Sequence, residues 1–160
     1  ERVLALLESS EANPLRLKLE LTESALINDM QGAVMRMSEL KAHGIRFSID
    51  DFGTGYSSMS YLQHLPISQL KIDQSFVLNL PADQSSAAIV RAICSLGQSL
   101  ALDVIAEGVE QESQFAELLS CGCHNFQGYL FGRPMPPSEF EQLVSTSRNN
   151  SGTLLSSARS

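Results

Sequence analysis

Ile45-Arg46-Phe47-Ser48-Ile49-Asp50-Asp51-Phe52-Gly53-Thr54-Gly55 is the stretch on which the fold turns. Ile45, Phe47 and Ile49 alternate with polar neighbours, the period of a strand. The strand is expected to end at Asp50-Asp51, followed by a flexible glycine-containing loop from Phe52 to Ser58. Successive side chains of a regular strand point to opposite faces, so both aspartates can serve one site only if the strand ends between them.

Working outward, the same unit recurs. Upstream, residues 1–9 read as the end of a helix, broken by Asn13-Pro14. Leu15, Leu17, Leu19 and Leu21 then alternate with polar residues and predict a strand ending near Glu20. Val34, Met37 and Leu40 share a helix face, with Gly44 placed to close it. Downstream, Met59 and Leu62 mark a short helix that stops before Pro66, and Leu70-Lys71-Ile72-Asp73 a short strand. A loop from Pro81 to Ser86 precedes a long helix carrying Ile89, Val90, Ile93, Leu96 and Leu100. Val104-Ile105-Ala106 is a strand ending at Glu107; Phe115, Leu118 and Leu119 line a helix closed by Gly122; Asn125-Phe126 leads into Gln127-Gly128-Tyr129. Pro136-Pro137 opens a last helix through Phe140, Leu143 and Val144. Strands separated by helices imply parallel pairing, because a parallel neighbour needs a long crossover. No strand is followed by a Gly-x-Gly-x-x-Gly fingerprint, which speaks against a dinucleotide-binding sheet. The expected class is α/β, a partial TIM-like (β/α) barrel over residues 1–144, with 145–160, rich in Ser, Thr, Asn and Gly, as a disordered tail.

Composition narrows the function. The chain has 160 residues, 43% of them hydrophobic, enough for one domain with a core. The formal net charge of -7, without a basic stripe, argues against binding a nucleic-acid polymer. No apolar run approaches the ~20 residues of a membrane span, and no secretion signal is visible. Cys94, Cys121 and Cys123 read as free thiols of a reducing cytoplasm. Cys121-Gly122-Cys123-His124 does not have common zinc spacing. His43 and His64 fall at helix ends, and Met30, Met35, Met37 and Met59 fit helix faces as packing or surface residues.

Chemistry gathers at the strand ends: Glu20, Asp50 with Asp51, Lys71 with Asp73, Glu107 and Gln127. Any one of these carboxylates taken alone is more often a helix cap or a solvated turn residue. All of them in register fit a site, because the C-terminal strand ends of a (β/α) barrel converge on one face. Carboxylates gathered there repel unless a divalent cation lies among them. Oxygen ligands without clustered His or Cys favour Mg²⁺ or Mn²⁺ over Zn²⁺. Two such ions suit phosphodiester hydrolysis, activating water and stabilising the attacking and leaving oxygens, with Lys71 adding positive charge.

Glu20-Leu21-Thr22-Glu23-Ser24, Asp50-Asp51-Phe52-Gly53-Thr54-Gly55-Tyr56-Ser57-Ser58, Leu70-Lys71-Ile72-Asp73, Ala106-Glu107-Gly108-Val109-Glu110 and Gln127-Gly128-Tyr129 resemble, in order, the motif series of EAL domains. The resemblance implies a phosphodiesterase that hydrolyses cyclic-di-GMP to linear pGpG with two Mg²⁺ or Mn²⁺ ions. It implies Glu20, Asp50, Asp51 and Glu107 as metal ligands, Glu107 alternatively as general base, and Lys71 as the lysine near the attacking water and phosphate. Glu110, Gln127 and Asp73 take supporting places. Glu23 is implied as the anchor of the Phe52-Gly53-Thr54-Gly55 loop, which in the family couples dimerisation to metal binding, so a homodimer is expected. The family's Glu-Ala-Leu segment, an asparagine ligand strand and a sensory or cyclase-like domain are expected upstream of Glu1, where the family's order of motifs places them. Lacking roughly the first two strands, the barrel cannot close, and the chain alone is expected to be inactive and either unstable or completed by other segments. The alternative is a non-catalytic cyclic-di-GMP-binding or dimerisation module.

Overall fold

A computed structural model describes residues 2–23, 25, 29–55 and 62–145. The helix at Met59, the loop beyond Gly55 and the tail from residue 146 lie outside the described residues. Five strands form one parallel sheet in sequential order: β1 (Lys18–Thr22), β2 (Arg46–Phe52), β3 (Gln69–Ile72), β4 (Asp103–Ala106) and β5 (Asn125–Phe126). Helices α1 (Arg2–Ser10), α2 (Met30–Ala42), α3 (Gln74–Leu78), α4 (Gln84–Ser99) and α5 (Glu112–Ser120) alternate with them, residues 137–145 are helical, and Pro14–Arg16 forms a 3-10 turn, so the strand expected from Leu15 begins only at Lys18. This is the α/β strand–helix alternation expected from the sequence.

Two side-chain periodicities organise the sheet. Leu19, Leu21, Phe47, Ile49, Leu70, Ile72, Val104 and Ala106 belong to the apolar core that the helices cover. The alternate residues Lys18, Glu20, Ser48, Asp50, Gln69 and Lys71 share the other face. There Lys18 donates to Gln69 at 2.8 Å, across a gap of 51 residues in sequence. The sheet is thus apolar toward its helices and polar on the side where a barrel interior lies.

Helix-to-strand joints repeat one device. After α2, Gly44 takes a φ of +92° and donates to Lys41 O, while Ile45 donates to Leu40 O. After α5, Gly122 at +86° donates to Leu119 O, and Cys123 to Leu118 O. Both are Schellman closures. The joint after α4 makes the same two bonds, Ala101 to Gln98 O and Leu102 to Gly97 O, but the left-handed residue is Ala101 at +54°. A Cβ in that conformation costs about 1–2 kcal/mol, partly offset by the lower chain entropy of Ala. Ala101→Gly is therefore expected to stabilise the fold by about 0.5–1 kcal/mol, read as a raised urea midpoint at constant m.

The expected end of β2 needs correction. The strand does not stop at Asp50-Asp51 but runs through Phe52, which pairs with Ile72 and is buried in the core. Between Ile49 and Phe52 the register slips, and Asp51 has a φ of +53°. A bulge re-aims a side chain without ending the strand. β1 likewise continues two residues past Glu20, to Thr22.

Candidate active site

Lys71 sits on β3, a strand buried along its whole length. Its side chain is 7% exposed, and its ammonium lies 2.6 Å from Glu20 Oε2, 2.8 Å from Glu107 Oε1 and 3.0 Å from Asp50 Oδ1. An ammonium has three N–H donors, so three carboxylates from three different strand ends use its capacity in full. Burial alone would pull its pKa down, but the hydrogen bonds to Glu107, Glu20 and Asp50 outweigh that and hold it well above the ordinary lysine range. Lys71 is a fixed cation here, not a proton acceptor. Glu107 fares differently. Its burial pushes the carboxyl above the usual range, and the nearby Asp50 and Glu20 add to that, against the pull of Lys71.

Asp51 is exposed on the bulge. What burial it has, then the charges of Asp50 and Asp73 and a hydrogen bond with Asp73, raise its carboxyl; Lys71 opposes them. The bulge therefore brings both aspartates to one acidic cluster, which a regular strand would not. Asp73 has a second role that the spacing did not reveal: it caps α3, accepting from Ser75 N at 2.9 Å and from the Ser75 hydroxyl.

Asn tolerates a left-handed backbone and carries no charge. Asp51→Asn is therefore expected to raise the melting temperature in chelator, by the equivalent of about 0.2–1 kcal/mol typical of exposed charge pairs. Asp51→Val, branched at a positive φ, is expected to lower it by about 1–2 kcal/mol.

Beyond Glu107 the surface opens into a cleft of about 400 Å³ lined by Gln74, Glu107, Glu110, Gln127 and Tyr129. The guanidinium of Arg133 lies 4.5 Å from the centre of the Tyr129 ring. A backbone clasp builds this wall. Val109 N donates to Gln127 O at 3.1 Å, and Leu130 N donates to Val109 O at 3.0 Å. A Cβ on Gly128 would fall 2.1 Å from Val109 O and 2.3 Å from Val109 N. Only glycine permits this approach. Gly128→Ala is expected to cost about 1–3 kcal/mol or more, seen as a drop in melting temperature, and to separate Gln127 from Glu107. Sequence spacing singled out Gln127 but gave Gly128, Gln74 and Tyr129 no part in the site. The close approach at Gly128 is invisible without the fold, and Gln74 is known as a neighbour of Glu107 only once β3 and β4 pair.

The expected loop group divides. Phe52 is core. Thr54 donates its hydroxyl to Asp51 O at 2.8 Å, tying the turn to the bulge. Glu23 is buried at 3% exposure, and neither of its carboxylate oxygens has a hydrogen-bond partner among the described residues. A Cβ on Gly55 would lie 2.7 Å from Glu23 Oε1, so the loop backbone does pass against this carboxylate.

The donor chemistry of the cluster fits a hard divalent cation. Every candidate is a carboxylate, and Glu20, Asp50, Asp51 and Glu107 outnumber the one ammonium among them. Among the described residues no three His, Cys, Asp or Glu side chains form a ready metal cage. Three of the carboxylates, Glu20, Asp50 and Glu107, are turned toward Lys71.

The family model of the EAL domain matches residues 1–134. The bifunctional diguanylate cyclase/cyclic di-GMP phosphodiesterase MucR of Pseudomonas aeruginosa is 49% identical over 83% of this chain, which spans 19% of that protein. The c-di-GMP complex of the PaMucR phosphodiesterase superposes with a TM-score of 0.82 at 46% identity, covering 86% of this chain and 56% of that one. The manganese/cy-diGMP complex of Klebsiella pneumoniae BlrP1 superposes with a TM-score of 0.77 at 31% identity, covering 83% of this chain and 34% of that one. The chain thus spans about a fifth of the length of that curated relative and just over half of the PaMucR chain. No helix among the described residues is long and apolar enough to cross a membrane.

Proposed function

Because the chain belongs to the EAL domain family, we propose that it carries the metal-binding and hydrolytic face of a phosphodiesterase that opens cyclic-di-GMP to linear pGpG. The observation that supports this best is the Lys71 ammonium, buried among Glu20, Asp50 and Glu107 at the C-terminal ends of parallel strands. That is where a barrel collects its chemistry. Glu20, Asp50, Asp51 and Glu107 would hold two divalent ions, Mg²⁺ or Mn²⁺. When bound, such ions polarise water and offset charge on the attacking and leaving oxygens.

The chain's own residues do the rest. Lys71 stays protonated and presents fixed positive charge to the phosphate as negative charge accumulates on it. Glu107, its carboxyl raised by burial, is the group suited to take the proton of the attacking water. Glu110 and Gln127 line the cleft beside Glu107, where they can orient that water. Glu23 restrains the Gly53–Gly55 turn, and any self-association through the loop falls to that turn, since Phe52 is buried.

The test measures cyclic-di-GMP hydrolysis by chromatography, with Mg²⁺, Mn²⁺ or EDTA, for this chain and for the longest form of the protein that can be expressed. Calorimetry with Ca²⁺ measures affinity in parallel. Metal-dependent pGpG is expected. Binding without product in the longest form would replace hydrolysis with a receptor function.

A further inference from the structure

Gln114, in the first turn of α5, is a primary amide only 2% exposed. Its Oε1 accepts from Glu110 N at 2.8 Å and from Gln111 N at 2.9 Å. Its amide nitrogen donates at 3.4 Å to Leu78 O, the carbonyl that ends α3, 36 residues upstream. Helix capping accounts for one of these three bonds. In a capping box the third helical residue reaches back to the N–H of the cap residue, here Gln111. Gln114 also takes up Glu110 N, spans to a second helix and is buried. Burying a primary amide has a desolvation cost, which a cap at the surface would not incur.

The bond to Glu110 completes a set of pins on the turn from Glu107 to Glu110. Glu107 N donates to Ile72 O at 3.3 Å, and Val109 N to Gln127 O at 3.1 Å. Gly108, at a φ of +70°, lies so close to α3 that a Cβ would fall 2.8 Å from Gln74 Cβ. These other hydrogen bonds join main chain to main chain. The bond from Glu110 N is the one that a side-chain substitution can withdraw.

We propose that Gln114 is a positioning residue for hydrolysis: its buried amide oxygen fixes the backbone of Glu110 and so aims the Glu110 carboxylate at the attacking water beside Glu107 and Gln127. This role rests on the phosphodiesterase reading above. Glu110 is exposed, so packing does not aim its side chain, and its direction follows from where its backbone is held. Withdrawing the pin frees Glu110 N and leaves the acids around Lys71 in place, since their strands are paired independently of α5.

Gln114→Met keeps the length of the side chain and removes all three bonds. In the longest form of the protein that can be expressed, at saturating metal and well below the melting temperature, its kcat for cyclic-di-GMP is expected to fall about 10–100-fold, the scale for a group that orients a functional residue. KM should change little. A merely structural role would lower the melting temperature and leave the kcat of the folded molecules alone. Gln114→Glu keeps an acceptor of the same reach for both N–H groups and should recover most of the lost rate. Gln114→Asn, a methylene too short to reach Glu110 N, makes the same test as the methionine variant if that one does not fold. Hydrogen exchange followed by NMR on this chain, without metal or substrate, reads the pin itself. The Glu110 amide should be protected in the wild type and in Gln114→Glu, and exchange freely in Gln114→Met. An unprotected Glu110 amide in the wild type, or wild-type kcat in the folded methionine or asparagine variant, would overturn the role. So would a Gln114→Glu variant as slow as Gln114→Met with its Glu110 amide still protected. Absent turnover in the wild type strikes the phosphodiesterase reading and this role with it, whereas wild-type turnover indifferent to Gln114→Met strikes the role alone.

Discussion

Lys71→Met is expected to lower cyclic-di-GMP hydrolysis by about 10²–10³-fold, the scale set by removing one group that stabilises transition-state charge. Methionine keeps the apolar stem and most of the volume, so the loss isolates the ammonium. The same substitution removes the counter-charge from Glu20, Asp50 and Glu107, all within 3.0 Å of the lysine nitrogen. Removing one partner of a buried pair costs about 3–5 kcal/mol. Here the acids are partly open to water, Glu20 at 45% exposure, so about 1–3 kcal/mol at neutral pH is the expected loss.

The pH dependence has a definite sign. The folded-state pKa of Lys71 lies above its ordinary value, so its contribution is fully present below the ordinary lysine range and is lost only as pH rises through the raised value. Between about pH 6 and 9 the wild type keeps it unchanged. In the variant the three acids repel one another and favour protons, so its deficit should shrink as pH falls toward the carboxylate range near 4. Mn²⁺ should narrow the gap as well, since a divalent ion supplies the missing charge. Thermal melts at several pH values, in EDTA and in Mn²⁺, check both. A variant that melts like the wild type in EDTA at pH 7 would show that Lys71 is not the counter-charge of the cluster.

Much of this architecture is legible because a strand with one apolar face repeats every two residues. Leu19 and Leu21, or Phe47 and Ile49, mark strands and also fix which neighbours share the other face. The strand ends then identify Glu20, Asp50, Lys71 and Glu107, and the fold brings these four together. What stayed hidden depends on backbone conformations without a periodic signature. The bulge at Asp51 is one: nothing in the run Ile49–Phe52 announces a left-handed residue, so a strand end was the simplest way to put two aspartates on one face. Ala101 is another, standing where the two sister joints carry glycine. Helix α3 has five residues, too few to show a helical period, so nothing in the sequence marks Asp73 as its cap. The lining of the Glu107 cleft is hidden for a different reason. Gln74 and Tyr129 stand far apart in sequence and meet only through the pairing of β3, β4 and β5.

Glu107→Gln removes a carboxylate's charge and proton acceptor while keeping the shape of the side chain. The amide keeps the shape and can still accept from Lys71, whose ammonium also retains Glu20 and Asp50. It cannot accept the proton of an attacking water. Loss of a general base costs about 10²–10⁴ in rate, so hydrolysis by the active form of the protein should fall into that range or beyond, and the affinity for cyclic-di-GMP in Ca²⁺, measured beside it, reads the share of the loss that belongs to Glu107 as a metal ligand. The fold should be nearly indifferent, and the small effect it shows has a predictable slope. Glu107 is raised above 4.5 chiefly by burial, so the folded state binds its proton more readily than the unfolded chain. That favourable contribution is lost as pH rises from about 4.5 through the raised value. Glutamine cannot titrate, so the melting temperature of the variant should gain on the wild type as pH increases through that window. Retained turnover would remove Glu107 from the proton transfer. A collapse of the fold at every pH would show that its carboxylate is needed structurally.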